Sequence, residues 1–489
     1  MKKYLLILTA IAALSITACR KIETDGQIVL VPTGGGGGGG TTGQTITIEG
    51  RIISDTIFRK ANTYILKGLV YIANNKTLTI EAGTVIKGAF SGSDVAALII
   101  TRGAKLVANG TATEPIIFTS SSPNPQSGDW AGIVLCGKAP INSSFNGTAG
   151  LFEVEGGVNN ASGDGLAGSG DAVVPAPVSD DSSGVLRYIR IEYAGYAFQP
   201  DKEINSLTMA AVGSKTVIEN IQTYLAKDDA FEWFGGTVNC RYLIAYKTQD
   251  DDFDTDNGYS GKVQFGISIR DSLIADASRS EAFESDNNAG GTTATPKTTV
   301  VFSNMTAIGP RATTANAGSS LYRSGAHIRR NSEMSLFNSV IVGWPLAIDI
   351  DGTTGTPTSG NVGAGLILAN NFLGGNTDSI KYTAPTGSVY TTADLVTYFK
   401  TPVLANSILN GTLPSNLFVQ PFNYAAPDPT PFGNAVSIVG TIVAPITPRA
   451  AFTHAKLNDP FFTQTNFIGA VAPSGPLASW WKGWTRFSN

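Results

Sequence analysis

Thirteen of the chain's 38 acidic residues fall between Asp228 and Asp286, and their spacing is regular. Laid over one another at an offset of 22 residues, the segments 227–236 and 249–258 match Asp229 with Asp251, Phe231 with Phe253, Glu232 with Asp254 and Gly236 with Gly258. At a further offset of 30 residues, Glu281, Phe283, Glu284 and Asp286 fall under Asp251, Phe253, Asp254 and Asp256. An acid, a phenylalanine and an acid repeated at one coil of chain mark a stacked architecture. Stacking puts like charges about 4.8 Å apart, where they repel. Carboxylates at several heights suit Ca²⁺, which takes about six to eight oxygens in flexible geometry. The expected ligands are Asp229, Glu232, Asp251, Asp252, Asp254, Asp256, Glu281, Glu284 and Asp286. The bases near them in sequence are few: Lys227, Arg241, Lys247 and Lys262. The plainer reading is a solvated ridge of turn-forming aspartates. Asp252-x-Asp254-x-Asp256 matches a calcium loop only loosely, because its glycine falls at 258 and not 257. Phe231, Phe253 and Phe283 are expected to stack inward, while Trp233 and Tyr259, beside the acids, are expected to face a ligand.

Paired carboxylates among aromatics would also fit a glycosidase or a polysaccharide lyase. The only histidines, His327 and His454, are far from the acids in sequence. Neither a Ser-His-Asp set nor zinc-ligand spacing is present. No catalytic residue is assigned, and His327 reads as a polar strand residue.

The elements that must hold the acids are short β-branched runs cut by Gly and Asn, in a chain with 55 Gly and 15% charged residues. Segments 78–88 and 98–108 align at an offset of 20, Leu78 over Leu98 and Ile80 over Ile100. Sandwiches and barrels need hairpins, and leucine-rich repeats carry a signature absent here. The expected fold is therefore all-β, a right-handed parallel β-helix over residues 45–489. Ile191–Gly195 aligns with Phe231–Gly235 at an offset of 40, which would put Glu192 at the head of the acidic column. Residues 142–183, poor in apolar runs, read as a loop insertion. Asp349-Ile-Asp351-Gly reads as a turn. Residues 470–489, with Trp480, Trp481 and Trp484, read as a cap over an open solenoid edge, or as a sugar-binding platform. Cys136 and Cys240 are estimated roughly 14 Å apart from the coil spacing, too far for a disulfide. Both are expected free and buried.

The N-terminus gives an address. Lys2-Lys3, an apolar run to Ile16 and then Thr17-Ala18-Cys19 form a signal of residues 1–18 ending in a lipobox. Cys19 is the expected lipidation site, and Arg20, where retained proteins carry Asp, favours the outer membrane. Residues 19–44, with seven consecutive glycines from Gly34 to Gly40, form a flexible tether. Removing residues 1–18 takes away two lysines and no acid, so the mature net charge is 32 − 38 = −6. That balance excludes a nucleic-acid partner.

Val212–Gln222, Asp228-Asp-x-Phe-Glu-x-Phe-Gly-Gly-Thr-Val238 and Asp251-Asp-x-Asp254 resemble β-helical cell-envelope lipoproteins common in Bacteroidota, similar in fold to the pectate-lyase-like superfamily. The resemblance covers most of residues 46–489. It implies the solenoid and the envelope address, with no activity attached. Surface-exported members carry acids directly after the lipidated cysteine. Arg20-Lys21 depart from that pattern, so the surface and the periplasmic face both stay open. The combined reading is an outer-membrane-anchored, non-catalytic binding or transport-accessory protein with a calcium-loaded ridge and a glycan or transporter partner. The alternatives are a glycan-cleaving enzyme and a purely structural or adhesive protein.

Overall fold

In the computed structural model, residues 31–32, 43–199, 202–312, 318–409, 411, 413–432, 437–438, 441–442 and 450–488 are described. Cys19 and most of the tether lie outside them. Val31–Pro32 pairs antiparallel with the first strand of the solenoid, Thr45–Ile52.

The chain winds into a right-handed parallel β-helix with three sheets. The strands Phe231–Phe234 and Phe253–Asp256 belong to the first sheet; Asn239–Tyr246 supplies the second and, after a bend, the third. Every rung of the first sheet pairs in parallel, from Leu69–Ile72 through Ala97–Ile100, Ile133–Cys136, Leu207–Ala210, Phe231–Phe234 and Phe253–Asp256. It continues through Ser280–Ser285, Tyr322–Ile328, Leu346–Asp351 and Asp378–Thr383. Period-two alternation decides what faces inward. Phe231, Phe253 and Phe283 stack inside, with centroids 5.7 and 5.3 Å apart.

The offsets of 22 and 30 are true rungs: Phe231 pairs with Phe253, and Phe253 with Phe283. The offset of 20 is not. Leu78 pairs with Leu106 in the second sheet, and Leu98 with Val70 in the first. That alignment had superposed similar strands from different faces of the coil. Glu192 likewise lies in the third sheet, opposite Tyr224, and heads no acidic column.

One residue per coil turns the second sheet into the third. Tyr188, Asn220, Tyr242, Phe265, Asn304, Asn338 and Asn370 all have φ between 49° and 64°. Asparagine tolerates this left-handed conformation, whereas bulky residues are strained in it. Tyr242 is compensated by stacking on Phe265 and by a tilted ring contact with Trp480 of the tail, both at 5.1 Å.

The tail seals apolar surface, but on a flank and not over an open edge. Trp481, Trp484, Phe467 and Ile468 pack with Tyr224, Ile244, Tyr246, Phe265 and Ile267 on the outside of the third sheet. Asn304 donates to Phe467 O at 2.9 Å, Asn338 to Ala451 O at 3.1 Å and Gln222 to Arg486 O at 2.7 Å. Arg486 also meets the buried Glu192 at 2.7 Å. The last coil is covered by the helix Thr392–Phe399, whose Leu395 and Phe399 join the interior. Thr391 caps that helix by exchanging hydrogen bonds with Asp394.

The insertion 142–183 folds into two small hairpins, Ser144–Phe145 with Thr148–Ala149 and Leu151–Glu153 with Leu166–Gly168. Its Val154, Val158 and Ala167 cover Tyr71, Ile99, Val134 and Phe234 on the outside of the first sheet. Cys136 and Cys240 are free and buried, and burial pushes both thiols up to about 12.

Candidate functional site

One outward column of the first sheet changes character along the solenoid. It runs Tyr71, Ile99, Val134 and Thr208 under the insertion, then Glu232, Asp254, Glu284, His327, Asp349 and Lys381. Beside it Cys136, Ala210 and Phe234 give way to Asp256. The insertion thus covers the apolar rungs and stops where the acids start. The segment leading into it, 140–142, walls the pit, since Pro140 O accepts from Gly236 N at 2.8 Å and Asn142 N donates to Asn257 O at 2.9 Å. The opposite wall is the loop after Arg270, from which Ser278 donates to Asp250 at 2.7 Å.

The acids divide into two sets. Toward the end of the solenoid they are paired with bases. Arg329 binds Glu284 and, at 2.9 Å, Asp286; Arg330 binds Asp286 at 2.6 Å. His327 sits between Glu281 at 3.4 Å on Nδ1 and Asp351 at 3.4 Å on Nε2. Arg323 spans Asp349 at 3.0 Å and Asp351 at 3.2 Å. Burial opposes charge at Glu284, but Arg329, His327 and Arg330 together bring its carboxyl below the usual range. Burial likewise opposes the His327 cation and is outweighed by Asp351 and Glu281, which raise the imidazole's affinity for a proton.

Asp228, Asp229, Glu232, Asp250, Asp251, Asp254 and Asp256 form the other set. Among the described residues none of these has a salt bridge to lysine or arginine. Burial and then mutual repulsion push Asp228, Asp229, Glu232, Asp251, Asp254 and Asp256 well above the ordinary carboxylate range. Asp250 is raised to about 7, mainly by burial. Glu155 of the insertion and Glu203 add negative charge nearby. Two trios bring one oxygen per residue within 4.8 Å of each other: Asp228, Asp229 and Asp250, and Asp229, Glu232 and Asp254. Buried oxygens of Asp250 and Asp254 have no hydrogen-bond donor. These oxygen-only donor sets, shared at Asp229, fit a hard cation and not a zinc-type site.

Several expected roles are corrected. Trp233 and Tyr259 are wholly buried and stack on each other at 5.3 Å. Trp233 lies two residues after Phe231 on one strand and therefore shares its inward face. Asp252 is not in the pit: it turns inside to Arg270 at 2.8 Å and Ser268. Glu281, Glu284 and Asp286 belong to the base-paired set. Asp349 and Asp351 lie on a strand and not in a turn. Of the bases near in sequence, Arg241 pairs with Glu219, Lys247 with Asp271 and Lys262 with Asp459, leaving the pit uncompensated by them. Asp228 and Asp250, absent from the expected ligands, are part of it. His327 and its neighbouring arginines were missed because Glu284 pairs with His327 across a coil of 43 residues. Continuing the acid–Phe–acid column past that long loop, to Ala326-His327, would have found them.

The chain belongs to the pectate-lyase-like β-helix domain family. The match spans residues 50–398, which contain the whole acidic pit and its neighbouring bases. No curated protein matches the chain in sequence. Among solved structures, that of the periplasmic alginate epimerase AlgG is similar at 10% identity and a TM-score of 0.29, over 70% of this chain and 83% of that one.

Proposed function

We propose that this β-helix is a lipid-anchored, calcium-dependent binding protein of the outer membrane. The observation that carries the reading is the set of seven crowded carboxyls, none of them in a salt bridge to lysine or arginine among the described residues. Ionising them together in a half-buried pit is unfavourable unless a cation joins them. Asp228, Asp229 and Asp250 would hold one ion; Asp229, Glu232 and Asp254 offer an overlapping position. A bound Ca²⁺ with open coordination would take oxygens from a glycan or from an exposed acidic segment of a transporter. The lipobox at Cys19 supports the anchor.

The test is calorimetric titration of Ca²⁺ into metal-stripped protein. Asp229→Asn, at the shared ligand, should abolish saturable binding, whereas Asp25→Asn in the tether should not change it. Absence of binding to the unsubstituted protein would leave the pit as a proton-binding surface. The anchor is tested separately, since Cys19→Ser should release the protein from the membrane fraction.

A second reading, a glycan-cleaving enzyme, is favoured by one observation. Carboxyls held protonated near neutral pH, such as Asp250 at about 7, are suited to general acid catalysis. Incubation with acidic and neutral glycans, followed by assay for new reducing or unsaturated ends, decides between the two.

A further inference from the structure

Away from the pit, three successive coils bring Lys297, Glu333 and Asn361 together. Lys297 precedes the strand Val301–Ile308, Glu333 precedes Ser335–Phe337, and Asn361 closes the short 3-10 turn Thr358–Asn361. Lys297 Nζ donates to Glu333 Oε1 at 2.6 Å, to Asn361 Oδ1 at 3.1 Å and to Asn331 Oδ1 at 3.3 Å. Lys297 and Glu333 side chains are each 22% exposed. The Asn361 amide is fixed in orientation because its Nδ2 donates to Asn331 O, Asn331 Oδ1 and Ser332 O, each at 3.0 Å. Its carbonyl is therefore held toward the amine.

We infer that Lys297 and Asn361 form an intramolecular isopeptide bond, with Glu333 as the proton carrier. Nζ lies 3.1 Å from Asn361 Oδ1, and a small rotation of the lysine side chain would bring it from the oxygen onto Cγ, which attack requires at about 3–3.5 Å. The Glu333 carboxylate takes a proton from the Lys297 ammonium, and the freed lone pair attacks Asn361 Cγ. Glu333 returns that proton to Nδ2 as the Cγ–Nδ2 bond breaks. The Nζ–Cγ amide remains, and ammonia departs carrying the amine's second surplus proton as ammonium. The step is an exchange of one amide for another, with no oxidant and no water consumed. The link would join positions 64 residues apart and staple three coils beyond the pit.

The experiment is mass spectrometry of the purified full chain. Its mass should be lower than that of Lys297→Arg, corrected for the substitution, by one molecule of ammonia. Trypsin acting on the denatured protein should leave the Lys297–Thr298 bond intact and yield a branched peptide carrying Asn361. Glu333→Gln should restore the unlinked mass, and reading this on denatured protein makes the result independent of how well the variant folds. Cleavage after Lys297 with no ammonia lost would show an ordinary ion-paired lysine and overturn the proposal. A branch at Asn331 would overturn the assignment to Asn361.

Discussion

Arg270 Nη1 lies 2.8 Å from Asp252 Oδ1, and neither side chain is exposed. Asp251 and Asp252, adjacent in sequence, therefore serve opposite sides of the wall. Asp251 accepts from Glu281 N at 2.5 Å in the ladder, while Asp252 anchors a guanidinium that lies over the rings of Tyr322 and Trp344. Burying one member of such a pair alone leaves an uncompensated charge. Arg270→Ala should cost about 3–5 kcal/mol in denaturant unfolding, and Arg270→Met with Asp252→Leu should recover most of it. Equal losses in the single and double variants would mean that shape, not charge, sets the cost.

The pH dependence of metal-free protein follows from the raised carboxyls. A group with a higher pKa in the folded than in the unfolded state stabilises the fold at low pH. That contribution is lost as pH rises from the ordinary aspartate value of 3.8 through about 7 for Asp250. His327, also raised, acts in the same sense. Glu284 and Asp351, both lowered, act in the opposite sense only in acid. Melting temperature should therefore fall between about pH 5 and pH 8, and Asp250→Asn should flatten the decline. A flat profile in the unsubstituted protein would contradict the shared raising of these groups.

Calcium should reverse that trend. A ligand at a hundredfold excess over Kd stabilises by about 2.7 kcal/mol, so Tm at neutral pH should rise with Ca²⁺ and return with chelator. Asp254→Asn should blunt the rise.

The bases beside the pit set its field. Arg329 holds Glu284 and Asp286 and also lowers the cost of charging Asp254. Arg329→Gln should strengthen calcium binding roughly threefold to tenfold by removing a competing cation. Weaker binding in calorimetry would instead assign Arg329 a positioning role.

Trp233 is a packing residue in this fold. Trp233→Ala should cost about 3–5 kcal/mol of stability through the cavity it leaves. Its calcium affinity, measured well below the melting temperature, should stay unchanged.

The register of the acidic column was legible because two coils are short and repeat the same side chains: Phe231, Phe253 and Phe283 each lie inward, and the acid after each points out. The same alternation applied to Trp233 would have placed it inside. Similarity between strands was misleading at Leu78 and Leu98, since every face of a solenoid uses the same β-branched vocabulary. The bases were hidden by loop length, because parallel pairing is indifferent to how much chain separates Glu284 from His327. Nothing local to Asp252 distinguishes it from Asp251; its direction is set by Arg270, which lies on the following coil.

The tail has a consequence for how the molecule is made. In chain order the coils precede residues 450–488, so the third sheet can pair before the segment that covers it has docked. Until the tail arrives, Tyr224, Tyr246, Phe265 and Ile267 form an apolar stripe of the kind that invites association between chains. Docking of that segment hides the stripe, so the residues that finish the fold are also the ones that keep chains apart. Deleting residues 450–488 would spare every rung and the acidic pit. It would still leave a sticky solenoid, prone to aggregate before it could bind anything.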